Sequence, residues 1–199
     1  PIGAGLSSSG ALGIAIALAL GFDGPPMEVA LLGQRAEHLA TGTPTGLLDQ
    51  LAISHGIAGH ALCIDFAGPT IDPVRLPDGI DILIVHSGET RSVEHSAYAD
   101  RVHDCTAASA LVGPLPDASL DAIVAIDDEV LQRRARHVRT ECDRVRAGVA
   151  ALRTDDLSTF GRLMVESHRS LREDFEVSTP RLDAIVDALT ATAGVHGAR

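Results

Sequence analysis

The sequence predicts an α+β fold in which a mixed first part precedes a mostly helical second part. Apolar residues recur at helical spacing through most of the chain, while the strand-like, β-branched runs cluster in residues 60 to 87. The chain has 199 residues, of which 45% are hydrophobic, enough for one domain or two small ones with a substantial core. Only 3% of the residues are aromatic, so aliphatic side chains must fill that core.

The first part is predicted to begin with three helices and to continue with short strands. An apolar helix follows Ser9 and ends near Gly21. Its apolar run, residues 11–20, is too short to cross a bilayer, so we expect a buried helix. Two further helices are expected at residues 27–39 and 47–54, and strands at residues 61–66, 71–76 and 80–86. The last strand is β-branched and continuous, which is typical of a strand buried on both faces.

The second part is predicted to follow a break at Pro77–Gly79 and to be helical. Its helices are expected at residues 93–111, 119–126, 129–152, 155–172 and 180–192. We interpret the arginines of the third of these helices as a solvated face rather than a functional basic patch. They are Arg133, Arg134, Arg136, Arg139, Arg144 and Arg146. His168 lies on the apolar face of the next helix, which favours a core histidine.

Charge, hydropathy and cysteine usage argue against several functional classes. The formal net charge of −11 argues against nucleic acid as a partner, because that function needs a basic surface. No apolar run is long enough for a membrane span, so no membrane partner is expected. The three cysteines are widely spaced and lack a CxxC motif, which indicates reduced thiols in a cytoplasmic protein. They are Cys63, Cys105 and Cys142.

The opening stretch, Pro-Ile-Gly-Ala-Gly-Leu-Ser-Ser-Ser at residues 1–9, has the composition of a phosphate-binding loop. Gly3 and Gly5 let the backbone come close to a bulky ligand. The serines stand where a helix begins, and there the backbone N–H groups and the positive end of the helix dipole favour an anion. Neither GxxxxGK[ST] nor GxGxxG matches. From these residues alone, a plain helix cap is an equally good interpretation.

A second stretch, Gly46-Leu-Leu-Asp-Gln50, places a carboxylate at the start of an apolar helix. Asp49 is a candidate general base, or the partner of a metal-bound phosphate. The spacing alone favours a simpler interpretation, in which Asp49 is a favourable negative charge near a helix N-terminus. Glu37, taken alone, is typical of a helix surface.

Four segments, taken together and in order, resemble the GHMP small-molecule kinases. Residues 1–9 resemble the second signature of that family, and their triple Ser is similar to its galactokinase branch. Gly46-Leu-Leu-Asp-Gln50 is similar to the Gly-Ile-Met-Asp-Gln segment of the same branch. The region of Tyr98 and the segment at residues 167–178 resemble later galactokinase segments. Because the likeness keeps its order over nearly the whole chain, it is more specific than any one motif.

The resemblance implies ATP-dependent phosphorylation of galactose at its 1-hydroxyl, with Mg²⁺ as cofactor. It implies Asp49 as the catalytic base, Ser9 and Glu37 as metal ligands, and Gly46, Asp49 and Tyr98 as sugar contacts. The ATP phosphates would be wrapped by the loop of Gly3, Ala4, Gly5, Leu6, Ser7, Ser8 and Ser9. A hydroxyl and a carboxylate are hard oxygen ligands that suit Mg²⁺, and phosphoryl transfer depends mainly on positioning and charge neutralisation. The expected partners are thus a small-molecule sugar and ATP.

The resemblance also implies a two-domain GHMP kinase fold, incomplete at both ends. Residues 1–78 would be the C-terminal portion of the ATP-binding domain, with a fold like domain 2 of ribosomal protein S5. Residues 79–199 would be the N-terminal portion of the C-terminal domain. The first and third family signatures are absent, so this piece alone is expected to be weak or inactive.

Three alternatives remain open from the sequence. One is a GHMP kinase for another sugar, such as arabinose or an N-acetylhexosamine. Another is a non-catalytic sensor of galactose and ATP, which intact Ser9, Glu37 and Asp49 argue against. A simple structural module is the third, and it leaves the colinear motifs unexplained.

Overall fold

The computed structural model describes residues 5–42, 45–89 and 98–199. The chain forms two compact units. One comprises Pro1–Ile80 and Gly88–His95, and the other comprises Asp81–Ser87 and Ser96–Arg199. The described residues combine helices with one two-stranded sheet, which confirms the predicted α+β class.

The first unit contains three helices and a β-hairpin. The helices are α1 (Ser8–Ala19), α2 (Pro26–Thr41) and α3 (Leu48–His55), and they pack against one another. Strands β1 (His60–Asp65) and β2 (Thr70–Arg75) pair antiparallel, with Leu62 opposite Pro73. The predicted elements in this region are therefore confirmed to within a few residues.

Small residues allow the three helices of the first unit to approach closely. A Cβ at Gly33 of α2 would lie 3.1 Å from Ile14 Cγ1 of α1 and 3.4 Å from Gln50 Cγ of α3. Leu51 of α3 and Ala30 of α2 are fully buried. Hydrophobic burial and close packing thus bring the N-terminal part of α1, the C-terminal half of α2 and the start of α3 together.

The second unit is helical. It contains α4 (Tyr98–Val112), α5 (Leu120–Val124), α6 (Glu129–Arg153), α7 (Leu157–Glu173) and α8 (Pro180–Thr190), with a short 3₁₀ turn at Leu115–Asp117. Helix α6 packs against α4, α5 and α7. The core of the second unit contains a cluster of buried aliphatic side chains, namely Ala108, Leu115, Ala118, Ile123, Ile126 and Ala135.

Two sequence predictions about buried apolar segments are wrong. Residues 80–89 form no strand, and Leu83 in this segment is 77% exposed. A strand needs a neighbour for its backbone hydrogen bonds, and in the described parts of the chain the only paired strands are β1 and β2. Helix α1 is also not buried all round, since Leu12 is 62% exposed while Ile14 and Ala17 face the unit's interior.

The expected helix at residues 93–111 is described from Tyr98 onwards, as α4. Its predicted start lies outside the described residues. In the described ranges, no helix is both long and apolar enough to span a bilayer.

Candidate active site

The carboxylate of Glu37 joins three separate segments of the first unit. Ser9 Oγ donates a hydrogen bond to Glu37 Oε1 at 2.6 Å. Gln50 Nε2 donates to Glu37 Oε2 at 2.7 Å, and Thr45 Oγ1 donates to the same oxygen at 3.2 Å. Two of the predicted site residues, Ser9 and Glu37, are therefore in direct contact although they lie far apart in sequence.

The start of α1 is shaped by two left-handed residues. Gly5 has φ 73° and Ser7, the residue before the helix, has φ 54°. Ser7 makes no side-chain capping hydrogen bond to the first turn. The first-turn N–H groups of an α-helix have no partner within the helix, and their dipole favours an anion. The residues Gly5 to Ser9 therefore present the backbone that a phosphate group requires, while Gly3 and Ala4 lie outside the described residues.

The end of α2 holds Glu37 and ties back the loop that follows it. Gly42 ends the helix in the left-handed conformation with φ 68°. The backbone oxygen of Thr45 accepts from Gln34 Nε2 at 3.0 Å and lies 2.8 Å from His38 Nε2. These contacts fix Thr45 beside the Glu37 carboxylate.

Asp49 lies in the first turn of α3, next to the start of α1. Its Cβ is 3.7 Å from the point where a Cβ on Gly10 would lie. The Asp49 side chain is exposed and makes no hydrogen bond to any other described residue. Because no donor among the described residues holds it, the carboxylate can accept a proton or hydrogen bond from a ligand.

The residues around Glu37 fit a magnesium ion that is shared with a nucleotide. The Ser9 hydroxyl and the Glu37 Oε1 carboxylate oxygen are hard donors already 2.6 Å apart. Mg²⁺ keeps several waters and phosphate oxygens and takes only one or two protein carboxylates. Within the described ranges no group of three or more His, Cys, Asp or Glu residues could form a metal cage. Ser9 and Glu37 thus offer two oxygen donors, which fits a cation that keeps water or phosphate oxygens as its other ligands.

The other predicted sugar contacts are described less completely. Gly46 is exposed in the loop before α3. Tyr98 begins α4 in the second unit, and its side chain lies outside the described residues. The structure thus brings together Ser9, Glu37 and Asp49, and leaves Tyr98 a prediction.

Thr45 and Gln50 both donate hydrogen bonds to Glu37, and neither contact was predicted from the sequence. Gln50 lies inside the Gly46–Gln50 segment, so its place in that motif could have indicated a functional role. For Thr45 the only such indication in the sequence was its position directly before Gly46. Their hydrogen bonds to Glu37 depend on how α2 and α3 pack, which no local pattern reveals.

A buried, ion-paired arginine stands in the second unit, where the sequence predicted a solvated face. The side chain of Arg134 on α6 is only 3% exposed. Its Nε donates to Asp104 Oδ2 at 3.2 Å, and its Nη2 donates to Glu176 Oε2 at 2.5 Å. The hydrogen bond from Arg134 lowers the pKa of Glu176 below its usual range. For Arg134 the predicted solvated position is wrong, because an arginine can be buried when its donors are paired.

Known proteins support the predicted resemblance over the whole chain. Residues 1–57 match the family described as GHMP kinases N terminal domain. The chain is 41% identical to a galactokinase of Roseiflexus sp. (strain RS-1) and 41% identical to a galactokinase of Homo sapiens. Each alignment covers 100% of this chain, and 54% and 53% of the respective relative.

A solved structure agrees with these relatives. The chain is similar to the crystal structure of Lactococcus lactis galactokinase complexed with galactose, with a TM-score of 0.81 and 29% identity. That similarity covers 99% of this chain and 55% of the other. The chain therefore spans about half the length of the relatives it matches, and its predicted resemblance to the GHMP kinases is confirmed.

Proposed function

We propose that this chain, as part of a GHMP kinase, serves the ATP-dependent phosphorylation of galactose at its 1-hydroxyl. The observation that carries the proposal is the contact of Ser9 with Glu37 beside Asp49, in a chain similar throughout to galactokinases. A hydroxyl–carboxylate pair suits a metal ion, an exposed carboxylate suits the orientation of a hydroxyl, and a helix N-terminus suits a phosphate, and phosphoryl transfer depends mainly on such positioning and charge neutralisation.

Each group has a distinct task in this proposal. The loop from Gly3 to Ser9 holds the ATP phosphates through its backbone N–H groups. Ser9 and Glu37 hold Mg²⁺, which neutralises charge on the phosphates when it is bound. Asp49 accepts the proton of the sugar 1-hydroxyl, or orients that hydroxyl towards the phosphoryl group. Gly46 and Tyr98 contact the sugar.

We also propose the domain assignment and location that accompany this function. Residues 1–78 are the C-terminal portion of the ATP-binding domain, and residues 79–199 are the N-terminal portion of the second domain. The family match to residues 1–57 and the division of the chain near Ile80 support this assignment. The three cysteines are unpaired, which supports a reducing cytoplasm as the site of the reaction.

A substrate panel with the complete protein tests the proposal. ATP-dependent product formation is measured on galactose, arabinose and N-acetylgalactosamine, and ³¹P and ¹³C NMR locate the phosphate. We expect galactose to give the highest kcat/KM, with phosphate on the oxygen of C1. Preference for another sugar favours a different GHMP kinase, and binding of galactose and ATP without turnover favours a sensor. Either result contradicts the proposal.

A further inference from the structure

We infer that Gln50 is a positioning residue that orients the Glu37 carboxylate for the metal ion. The inference rests on the proposed function, in which Ser9 and Glu37 are the metal ligands. It concerns a residue that contacts neither ATP nor sugar in that proposal and acts only through Glu37.

Gln50 is buried among the three helices of the first unit. It is only 1% exposed. Its Cγ is 3.4 Å from the point where a Cβ on Gly33 would lie, and its Nε2 is 3.6 Å from the corresponding point at Gly10. Glycines on α1 and α2 thus leave the space that this side chain fills. A buried and closely packed side chain has few alternative rotamers, so the position of its amide group is fixed.

The Gln50 amide is only half satisfied, which argues against a role in stability. Nε2 donates to Glu37 Oε2 at 2.7 Å, whereas Oε1 is buried without a hydrogen-bond partner among the described residues. A buried polar atom without a partner lowers stability, and an apolar side chain of the same shape avoids that cost. Stability alone would favour an apolar residue here.

The chemistry of an amide suits the task of orienting a ligand carboxylate. Gln50 and Thr45 both donate to Oε2 of Glu37, which leaves Oε1 on the side of Ser9. The amide carries no charge, so it holds the carboxylate without competing with the cation for it. Hydrogen-bond partners of metal ligands typically change metal affinity about 10–100-fold when they are removed.

Gln50 also directly follows Asp49 on α3. The same short helix therefore carries the proposed base and the residue that orients the metal ligand. A displacement of α3 would therefore move both Asp49 and the side chain that orients the proposed metal ligand Glu37.

The test replaces Gln50 by a residue of similar length that cannot donate. In the complete protein we compare the wild type with Gln50→Met, using Mn²⁺ as the probe. The dissociation constant of Mn²⁺ is measured by electron paramagnetic resonance in the presence of ADP. We expect it to rise about 10-fold or more, while the melting temperature stays unchanged or rises. The Mg²⁺ concentration for half-maximal activity should rise in parallel, with kcat largely restored at saturating Mg²⁺.

Gln132→Met is the matched control. Gln132 lies in the second unit, where its Nε2 donates to the Val124 backbone oxygen at 2.8 Å. The same chemical change there should lower the melting temperature and leave the Mn²⁺ affinity as in the wild type.

Two further variants, Gln50→Asn and Glu37→Gln, distinguish a role of Gln50 in metal binding from a purely structural role. Gln50→Asn keeps the amide but shortens the side chain, so it should weaken Mn²⁺ binding even if Gln50→Met does not fold. Unchanged Mn²⁺ affinity in a folded Gln50 variant overturns the inference, and so does unfolding of both variants, because Gln50 is then structural. Glu37→Gln tests the proposed metal site independently of Gln50. If it weakens Mn²⁺ binding and Gln50→Met does not, only the role of Gln50 fails, whereas no effect of Glu37→Gln removes the proposed metal site as well.

Discussion

His137 on α6 is a buried, neutral histidine held by a short chain of hydrogen bonds. The Ser170 hydroxyl donates to Asp174 Oδ2 at 2.9 Å, so its oxygen is left to accept from His137 Nδ1, which is 2.9 Å away. The ring also stacks on Phe175, with 4.3 Å between the ring centroids. Burial lowers the pKa of His137 to about 4. Nearby charges partly cancel, because Glu141 and Asp174 raise this pKa while Arg144 and Arg199 lower it.

The low pKa of His137 predicts that the free energy of unfolding depends on pH. The unfolded chain takes up a proton at His137 near pH 6.5, whereas the folded chain does so near pH 4. The stability from the neutral ring is thus fully present above the unfolded pKa and is lost as the pH falls towards the folded pKa. Between about pH 7 and about pH 5 we expect a loss on the order of 2 kcal/mol in the free energy of unfolding that His137→Gln does not show.

Urea unfolding of the complete protein at both pH values measures this loss. His103→Gln, at an exposed position of α4, is the control and should keep the wild-type pH dependence. An equal pH dependence in wild type and His137→Gln contradicts the assignment.

At the scale of single elements, helices α6, α7 and α8 of the second unit each begin with a side-chain cap. Asp128 Oδ1 accepts from the backbone N–H groups of Val130 and Leu131 at the start of α6. Asp156 caps α7 and Thr179 caps α8 in the same way. Such caps satisfy N–H groups that have no partner within the helix, and they are readable in a sequence because they act locally.

The side-chain cap of α6 is expected to contribute to the free energy of unfolding. Asp128→Ala removes the acceptor for two N–H groups and should lower the free energy of unfolding by about 1 kcal/mol. The neighbouring Asp127→Ala is a matched control, since it removes the same charge near the helix start without removing the cap. Its effect should stay within about 0.5 kcal/mol. Urea unfolding measures both variants, and equal losses would show that the cap hydrogen bonds contribute nothing beyond the charge.

The helices and the hairpin could be predicted from the sequence because their signals are local. The apolar spacing predicted both ends of α6 to within one residue, and the start of α8 was predicted at Pro180. The expected strand at residues 80–86 failed because a strand depends on a partner that a composition pattern does not contain. The buried position of Arg134 was missed for a similar reason, since Asp104 and Glu176, which pair with it, lie on other segments.

At the scale of the whole molecule, the proposed site residues were found by comparing motifs along the chain. Ser9, Glu37 and Asp49 belong to the first unit, and Tyr98 belongs to the second. The resemblance to GHMP kinases predicts a role for these four residues from colinear motifs, whereas composition and spacing alone favoured an ordinary helix-terminal carboxylate at Asp49. Gln50 and Thr45 could not be identified in this way, because their contacts with Glu37 arise only when the helices pack.

The measurement that tests the account most directly is the turnover of Asp49→Asn in the complete protein. The substitution keeps the size of the side chain but removes its ability to accept a proton. General-base catalysis contributes about 10²–10⁴-fold to a rate, so we expect galactose phosphorylation to fall by at least about 100-fold with nearly unchanged nucleotide affinity. Asp121→Asn, an exposed aspartate in the first turn of α5, should retain wild-type turnover. Substantial galactose phosphorylation by Asp49→Asn would contradict the account.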